Sequence, residues 1–267
     1  MSSASVPAPP GNIPGAAARS WCAGFVLAFF AAFSPSTGAA DNAGDFPAHL
    51  AIREGWYPQL VTIDFVRRYV SMPPRDDVVI VDTRDSARRY AAGHIPGALS
   101  IPAHHFDDLA PALLPADKGR LLLLYCDGVD CKLSHLAALD AEDLGHTNIK
   151  VYVEGFPDWF KRGEVYAISA AYLQKGRGEE HPPTLFDVRS GSATEGIPGA
   201  RLVPGEHFSE QTAGLLPDDK TVPLVFYCDQ PRQALSYAAA RRAHDLGYRN
   251  VAILAGGLAA WQALTRQ

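Results

Sequence analysis

Residues 121–160, LLLLYCDGVDCKLSHLAALDAEDLGHTNIKVYVEGFPDWF, run parallel without a gap to residues 223–262, PLVFYCDQPRQALSYAAARRAHDLGYRNVAILAGGLAAWQ. Upstream, VVIVDTRD (78–85) pairs with TLFDVRS (184–190), and GHIPGALSIP (93–102) with EGIPGARLVP (195–204). The offset is 105 between Asp82 and Asp187 and 102 between Cys126 and Cys228, so one three-residue indel separates the copies. A repeat of this length implies two domains of one fold; solenoid units run to about 20–50 residues. We expect domain 1 over 61–163 and domain 2 over 164–267, the latter opening with a linker at 164–183.

Each copy alternates strand and helix. VVIVD, LLLLY and KVYV, with TLFDV, LVFY and VAILA in the second copy, are short, continuous apolar runs, as strands buried on both faces require. Ser134 and Ser236 are expected to cap helices that end at Gly145 and Gly247, where a left-handed glycine turns the chain toward the next strand. Strands joined by helices imply α/β domains, each a central parallel sheet flanked by helices on both faces. Residues 41–60 read as an irregular lead-in.

The first forty residues differ from the rest. Arg19 precedes an apolar stretch from Trp21 to Phe33, and the small residues Gly38, Ala39 and Ala40 follow. This is the pattern of a secretory signal peptide over 1–40, too short in its apolar part for the about 20 residues that span a bilayer. An exported, periplasmic protein is expected, or an N-terminal anchor if the segment is retained; with cleavage no stable membrane span remains. Cys22 would leave with the signal, so the mature chain keeps Cys126, Cys131 and Cys228, an odd number in a disulfide-permitting compartment. Three thiols suggest chemistry more than scaffolding. The net charge of −5, without a block of like charges, gives no reason to expect nucleic acid as a partner.

Ligands of parallel α/β sheets bind beyond the carboxyl ends of the strands. Cys126 and Cys228 both stand there, between an apolar strand and a helix whose first N–H groups can stabilise a thiolate and cradle an anion. Cys126 is the principal nucleophile expected and Cys228 the second candidate. Cys131 is a resolving thiol for Cys126, or else a packed loop residue; Gln233 replaces it in the second copy. Gly128, Lys132 and Arg232 are the loop residues expected at a bound anion. Asp82, Arg84, Asp187 and Arg189 read as organisers of nearby loops, and His94 as a turn residue or a general base.

The ordered set AspThrArg (82–84), GlyHisIleProGlyAla (93–98), TyrCys (125–126) and GluGlyPheProAspTrp (154–159) resembles a rhodanese domain. AspValArg (187–189), IleProGlyAla (197–200), TyrCys (227–228) and GlyGlyLeuAlaAlaTrp (256–261) resemble a second. The resemblance implies a sulfurtransferase that takes a sulfane sulfur from a thiosulfate-like anion as a cysteine persulfide and passes it to a thiol or cyanide, without a cofactor or metal. A periplasmic protein partner would suit the same chemistry. A non-turnover thiol relay through Cys126 and Cys131 is the alternative. The loop departs from the family pattern Cys-x-x-Gly-x-Arg-Ser: the serine comes eight residues after the cysteine instead of six. Phosphatases and arsenate reductases of the family use a longer Cys-x(5)-Arg loop, which Cys126-x(5)-Lys132 echoes in length, but lysine lacks the bidentate fork.

Overall fold

The computed structural model describes residues 53–189, 196–203, 214–229 and 233–266. The signal-peptide reading of 1–40 and the expectation for Arg232 fall outside them. No helix among the described residues is long and apolar enough to cross a membrane.

The first sheet contains β1 (Leu60–Val61), β2 (Val78–Asp82), β3 (Leu99–Ser100), β4 (Leu121–Tyr125) and β5 (Ile149–Tyr152), in the order β1-β5-β4-β2-β3. The second contains β6 (Tyr166–Ile168), β7 (Thr184–Asp187), β8 (Arg201–Leu202), β9 (Leu224–Tyr227) and β10 (Val251–Leu254), in the order β6-β10-β9-β7-β8. Every ladder is parallel. The two orders are the same, as a duplicated α/β unit demands.

Side-chain alternation explains why β4 is apolar throughout. Leu122 and Leu124 pack with Ala137, Ala138 and Ala141 of α3 (Leu133–Asp143) and with Phe106 and Ala110 of α2 (Phe106–Leu113). Leu121, Leu123 and Tyr125 point the other way, toward Ile63 and Val66 of α1 (Ile63–Arg67) and Trp159 of α4 (Gly155–Lys161). Neither face meets water, so the one polar group on the strand, the Tyr125 hydroxyl, is hydrogen-bonded to the Ile95 amide. In the second sheet Leu224 and Phe226 pack on Ala239, Ala240 and Ala243 of α6 (Gln233–Asp245). Val225 and Tyr227 pack on Leu173 of α5 (Ala170–Gly176) and on Leu258 and Trp261 of α7 (Gly257–Thr265).

Gly145 and Gly247 do end their helices with φ of +88° and +98°. The serines are a different matter. Lys132 stands at the N-cap of α3 without a capping side-chain bond, and Ser134 lies inside the helix. Ser236 likewise lies inside α6. The capping expectation fails because each hydroxyl has a sulfur to contact, as described below. The edge strands β1, β3, β6 and β8 are also new: the sequence reading has β1 across the end of the lead-in, β6 in the linker and β3 and β8 unassigned within the repeat, where runs of two and three residues carry no periodicity.

The halves meet through backbone and charge. His94 and Ala167 exchange N–H···O bonds of 2.9 and 2.8 Å in an isolated antiparallel bridge, joining the GlyHisIlePro turn of the first copy to β6 of the second. Glu164, its side chain 5% exposed, accepts Arg67 of α1 at 2.7 Å and Arg241 of α6 at 3.2 Å. His94 is buried, stacks on Tyr90 at 3.7 Å between ring centroids, and pairs its Nδ1 with the Tyr90 carbonyl at 2.9 Å.

Burial lowers the pKa of His94 from 6.5 to about 4. The unfolded chain therefore binds a proton that the folded chain refuses between those values, so stability is full above pH 6.5 and falls as the pH drops toward 4. A shift of this size corresponds to about 3 kcal/mol. His135 and His146, also lowered by burial, act in the same direction. Urea denaturation between pH 7 and 4 is expected to show stability falling on acidification, with a shallower fall in His94→Gln; an equal slope in that variant would contradict this reading of His94.

Candidate active site

Cys126 leaves β4 directly onto the loop that precedes α3. Its sulfur receives the Ser134 hydroxyl at 3.3 Å and the Ser134 backbone N–H, so the start of α3 supplies both donors. Cys228 repeats this with Ser236, whose oxygen lies 3.4 Å from the sulfur and whose amide reaches it too. Both cysteines are buried, at 2% and 1% exposure.

A second helix holds each cysteine from the other side. The Phe156 amide donates to the Cys126 carbonyl at 3.0 Å, and the Leu258 amide to the Cys228 carbonyl at 3.1 Å. This approach needs glycine. A Cβ on Gly155 would lie 2.2 Å from the Cys126 oxygen and 2.8 Å from the Gly128 nitrogen, and one on Gly257 2.0 Å from the Cys228 oxygen. Both glycines also have positive φ, +64° and +56°. Sequence reasoning quoted these glycines as part of a family pattern and missed their role.

Beneath each loop lies a buried Asp/Arg pair. Asp82 Oδ2 accepts Arg84 Nη2 at 2.6 Å, and the Arg84 Nε and backbone N–H both reach Asp82 Oδ1. Arg84 also donates to the Gly93 carbonyl at 2.6 Å and lies 4.4 Å over the Phe156 ring. Tyr125 Oη accepts the Ile95 amide at 3.0 Å. Asp187, Arg189, Tyr227 and Ile197 repeat the arrangement. The expected organising role of these residues thus has a geometry: each pair ties the IlePro turn to the end of the strand that bears the cysteine.

The two loops differ in their second thiol. In the first copy Gly128, at φ +112°, opens a turn closed by the Cys131 amide on the Gly128 carbonyl at 2.9 Å, which folds Cys131 back onto Cys126. The Cys126 S–H donates to the Cys131 carbonyl oxygen at 3.2 Å, which puts the two thiols close enough to perturb each other. No disulfide joins them. Cys131 is partly exposed, and Lys132 is exposed at the end of the loop. The thiols titrate as a pair. The neighbouring Cys126 thiol lowers Cys131 to about 6, assisted by the amides of Asp127 and Leu133. The neighbouring Cys131 thiol, with burial, pushes the Cys126 thiol well up. Burial raises Cys228 as well.

Asp127, next to Cys126, is neutralised by Arg84 at 3.4 Å and Arg89 at 3.5 Å. It forms part of the wall of a cleft of about 520 Å³ between the halves, with Arg88, Phe160, Tyr166 and Tyr172. His94 contacts neither cysteine: its ring is committed to Tyr90, which leaves it no part as a base at this site.

The description of the rhodanese-like domain matches residues 67–162 and again residues 169–264. The chain belongs to the rhodanese-like family. Among curated proteins, the HTH-type transcriptional regulator Rv0324 of Mycobacterium tuberculosis is 35% identical over 83 residues, which cover 31% of this chain and 34% of that one. Among solved structures, thiosulfate sulfurtransferase from Pseudomonas aeruginosa is 20% identical with a TM-score of 0.37, covering 79% of this chain and 43% of that one. The BH2092 protein from Bacillus halodurans is 29% identical with a TM-score of 0.32, covering 40% of this chain and 70% of that one. The chain thus spans about a third of the regulator and under half of the sulfurtransferase. Its two cysteine loops have the same length, and the first carries a further thiol, Cys131, where the second has Gln233.

Two outcomes follow from the geometry. Alkylation by iodoacetamide is expected to modify Cys131 before Cys126, with a rate that rises through about pH 6, where its thiolate forms; preferential labelling of Cys126 would reverse the assignment of the more acidic thiol. Gly155→Ala is expected to cost at least about 1–2 kcal/mol from the left-handed backbone alone and to change the alkylation rates of both loop thiols, whereas Gly257→Ala leaves those two rates as they are.

Proposed function

We propose that this tandem rhodanese-like protein is a sulfurtransferase, taking a sulfane sulfur from a thiosulfate-like anion onto Cys126 and passing it to a thiol or cyanide. The observation that carries the reading is Cys126 itself, held at the carboxyl end of β4 with its sulfur on the hydroxyl and amide of Ser134 at the start of α3. Donors of this kind stabilise the anion that each half-reaction develops on sulfur.

The raised pKa of Cys126 calls for a base, and the titratable group beside its S–H, which rests on the Cys131 carbonyl, is the Cys131 thiol of lowered pKa. Proton transfer to Cys131 frees the Cys126 thiolate to attack the outer sulfur of thiosulfate. Sulfite leaves with the electron pair of the broken S–S bond, and a persulfide anion stays on Cys126. An acceptor thiolate or cyanide then attacks the terminal sulfur and regenerates the cysteine, a two-displacement, ping-pong scheme. Gly128 shapes the first loop and Lys132 is its cation for an anionic donor; Arg232 is the cation of the second loop. Cys228, in the matching environment, is the second site. We place the protein outside the cytoplasm on the strength of the signal-like segment 1–40, where a periplasmic thiol protein could serve as acceptor.

A second reading, a thiol relay that does not turn over thiosulfate, is favoured by the contact between Cys126 and Cys131. Steady-state thiocyanate formation from thiosulfate and cyanide separates the two. The sulfurtransferase reading expects parallel double-reciprocal lines and at least about a hundredfold loss of kcat/KM in Cys126→Ser, as when a covalent nucleophile is removed. Loss in Cys228→Ser with none in Cys126→Ser would move the site to the second copy. No thiocyanate from the wild type would leave the relay.

A further inference from the structure

A sulfurtransferase loop needs one sulfur nucleophile, and the first loop holds two in contact. The turn from Gly128 to Cys131, closed by the Cys131 amide on the Gly128 carbonyl, brings the Cys131 carbonyl to 3.2 Å from Cys126 Sγ, where it accepts the Cys126 S–H and keeps the two thiols side by side. The Asp127 and Leu133 amides reach the Cys131 sulfur. The second thiol therefore sits among the loop's own anion-stabilising donors, beside the atom on which a persulfide would form. Cys126 is buried and Cys131 is partly exposed, so Cys131 is also the thiol of the pair that meets the solvent.

We propose that Cys131 resolves the persulfide on Cys126, releasing hydrosulfide and leaving a Cys126–Cys131 disulfide, so that the first copy reduces sulfane sulfur as well as transferring it. This deepens the sulfurtransferase reading and rests on it. After sulfite departs, Cys126 carries a persulfide anion and Cys131 carries the proton it took from Cys126. The Cys131 sulfur attacks the inner sulfur of the persulfide, Cys126 Sγ. A bond forms between the two Sγ atoms, and the bond from Cys126 Sγ to the terminal sulfur breaks. The terminal sulfur leaves with that electron pair and with the Cys131 proton as HS⁻. The two thiols are oxidised together by two electrons and the sulfane sulfur is reduced by two. An external dithiol reopens the disulfide by exchange and resets the site.

Two features support resolution at this loop. The nucleophile is the partly exposed thiol of the pair, so an external dithiol can reach the disulfide that it forms. The reacting atoms belong to one short turn, so the step is intramolecular and competes well with an external acceptor. The copies then divide the chemistry. The loop CDQPRQA from Cys228 to Ala234 contains no further cysteine, with Gln233 at the position of Cys131, so a sulfur taken up on Cys228 awaits an external acceptor.

The test uses the full chain in the Cys228→Ser background, reduced, freed of reductant, and treated anaerobically with thiosulfate and no acceptor. Hydrosulfide is assayed, and the tryptic segment from Leu121 to Lys132, which carries both thiols, is weighed. The parent is expected to release hydrosulfide in proportion to protein and to lose two hydrogens from that segment. Cys131→Ser and, as a second variant, Cys131→Ala lack the base as well as the resolving thiol, so they are expected to take up sulfur more slowly but, at long incubation, to keep the added sulfur atom on Cys126 and release about tenfold less hydrosulfide, as removal of a reacting thiol requires. If the parent keeps the added sulfur and releases no more hydrosulfide than Cys131→Ser, resolution is refuted while the sulfurtransferase reading stands. If neither the parent nor the Cys131 variants gain sulfur or release hydrosulfide, the persulfide on Cys126 is refuted, and with it both readings.

Discussion

The carbonyl of each strand-end cysteine is caught by an amide in the first turn of the helix that follows the next strand: Phe156 on Cys126 at 3.0 Å, Leu258 on Cys228 at 3.1 Å. Everything at the site depends on that approach. The bond lets the cysteine leave its sheet with a fixed backbone direction, so that its sulfur turns toward the start of α3 or α6 and meets a serine there. Only a glycine allows it, because a Cβ at either position would stand at or inside 2.2 Å of the cysteine oxygen. A buried ion pair then braces the assembly. Asp82 and Arg84, at 0% and 3% exposure, satisfy each other, the Gly93 carbonyl and part of the charge of Asp127. Removing one member of such a pair strands the other in a medium that cannot solvate it, whereas the intact pair mainly fixes geometry.

On this shared frame the copies have diverged where chemistry is decided. The first has a thiol at the turn of its loop and a histidine in its IlePro turn; the second has Gln233 and Gly196. His94 has become structural, spanning the halves through Ala167 and stacking on Tyr90. A Cβ at Gly196 would meet Tyr227 Oη at 2.8 Å and Asp187 Oδ2 at 2.9 Å, so the second turn sits closer to its ion pair and admits no side chain there without rearrangement. Divergence at the loop matters more. Burial raises the pKa of the second copy's lone Cys228, whereas in the first loop the neighbouring thiols move apart, Cys126 up and Cys131 down.

Much of the architecture was legible in the sequence because burial on both faces leaves a plain mark. LLLLY and LVFY could be little else than central parallel strands, and their repetition at a fixed offset implied two copies of one domain. The edge strands were not legible: Leu60–Val61 and Tyr166–Ile168 are too short to show a period and are held by partners far away in sequence. Ser134 was misread as a cap because its spacing from the apolar run suits an N-cap, and nothing local tells that its hydroxyl faces the Cys126 sulfur. The proximity of Cys126 and Cys131 was readable from loop length. The direction in which they share a proton was not, since it follows from the amides of Asp127 and Leu133 and from unequal exposure.

The central claim is that the loop held between α3 and α4 makes Cys126 the sulfur acceptor. Thiosulfate labelled with radioactive sulfur in its outer position, supplied briefly to the wild-type protein and quenched with acid, tests this most directly. The account predicts label on the segment from Leu121 to Lys132 or in released hydrosulfide, and neither in Cys126→Ser. Label confined to the segment containing Cys228, with the Leu121–Lys132 segment and hydrosulfide both unlabelled, would contradict it.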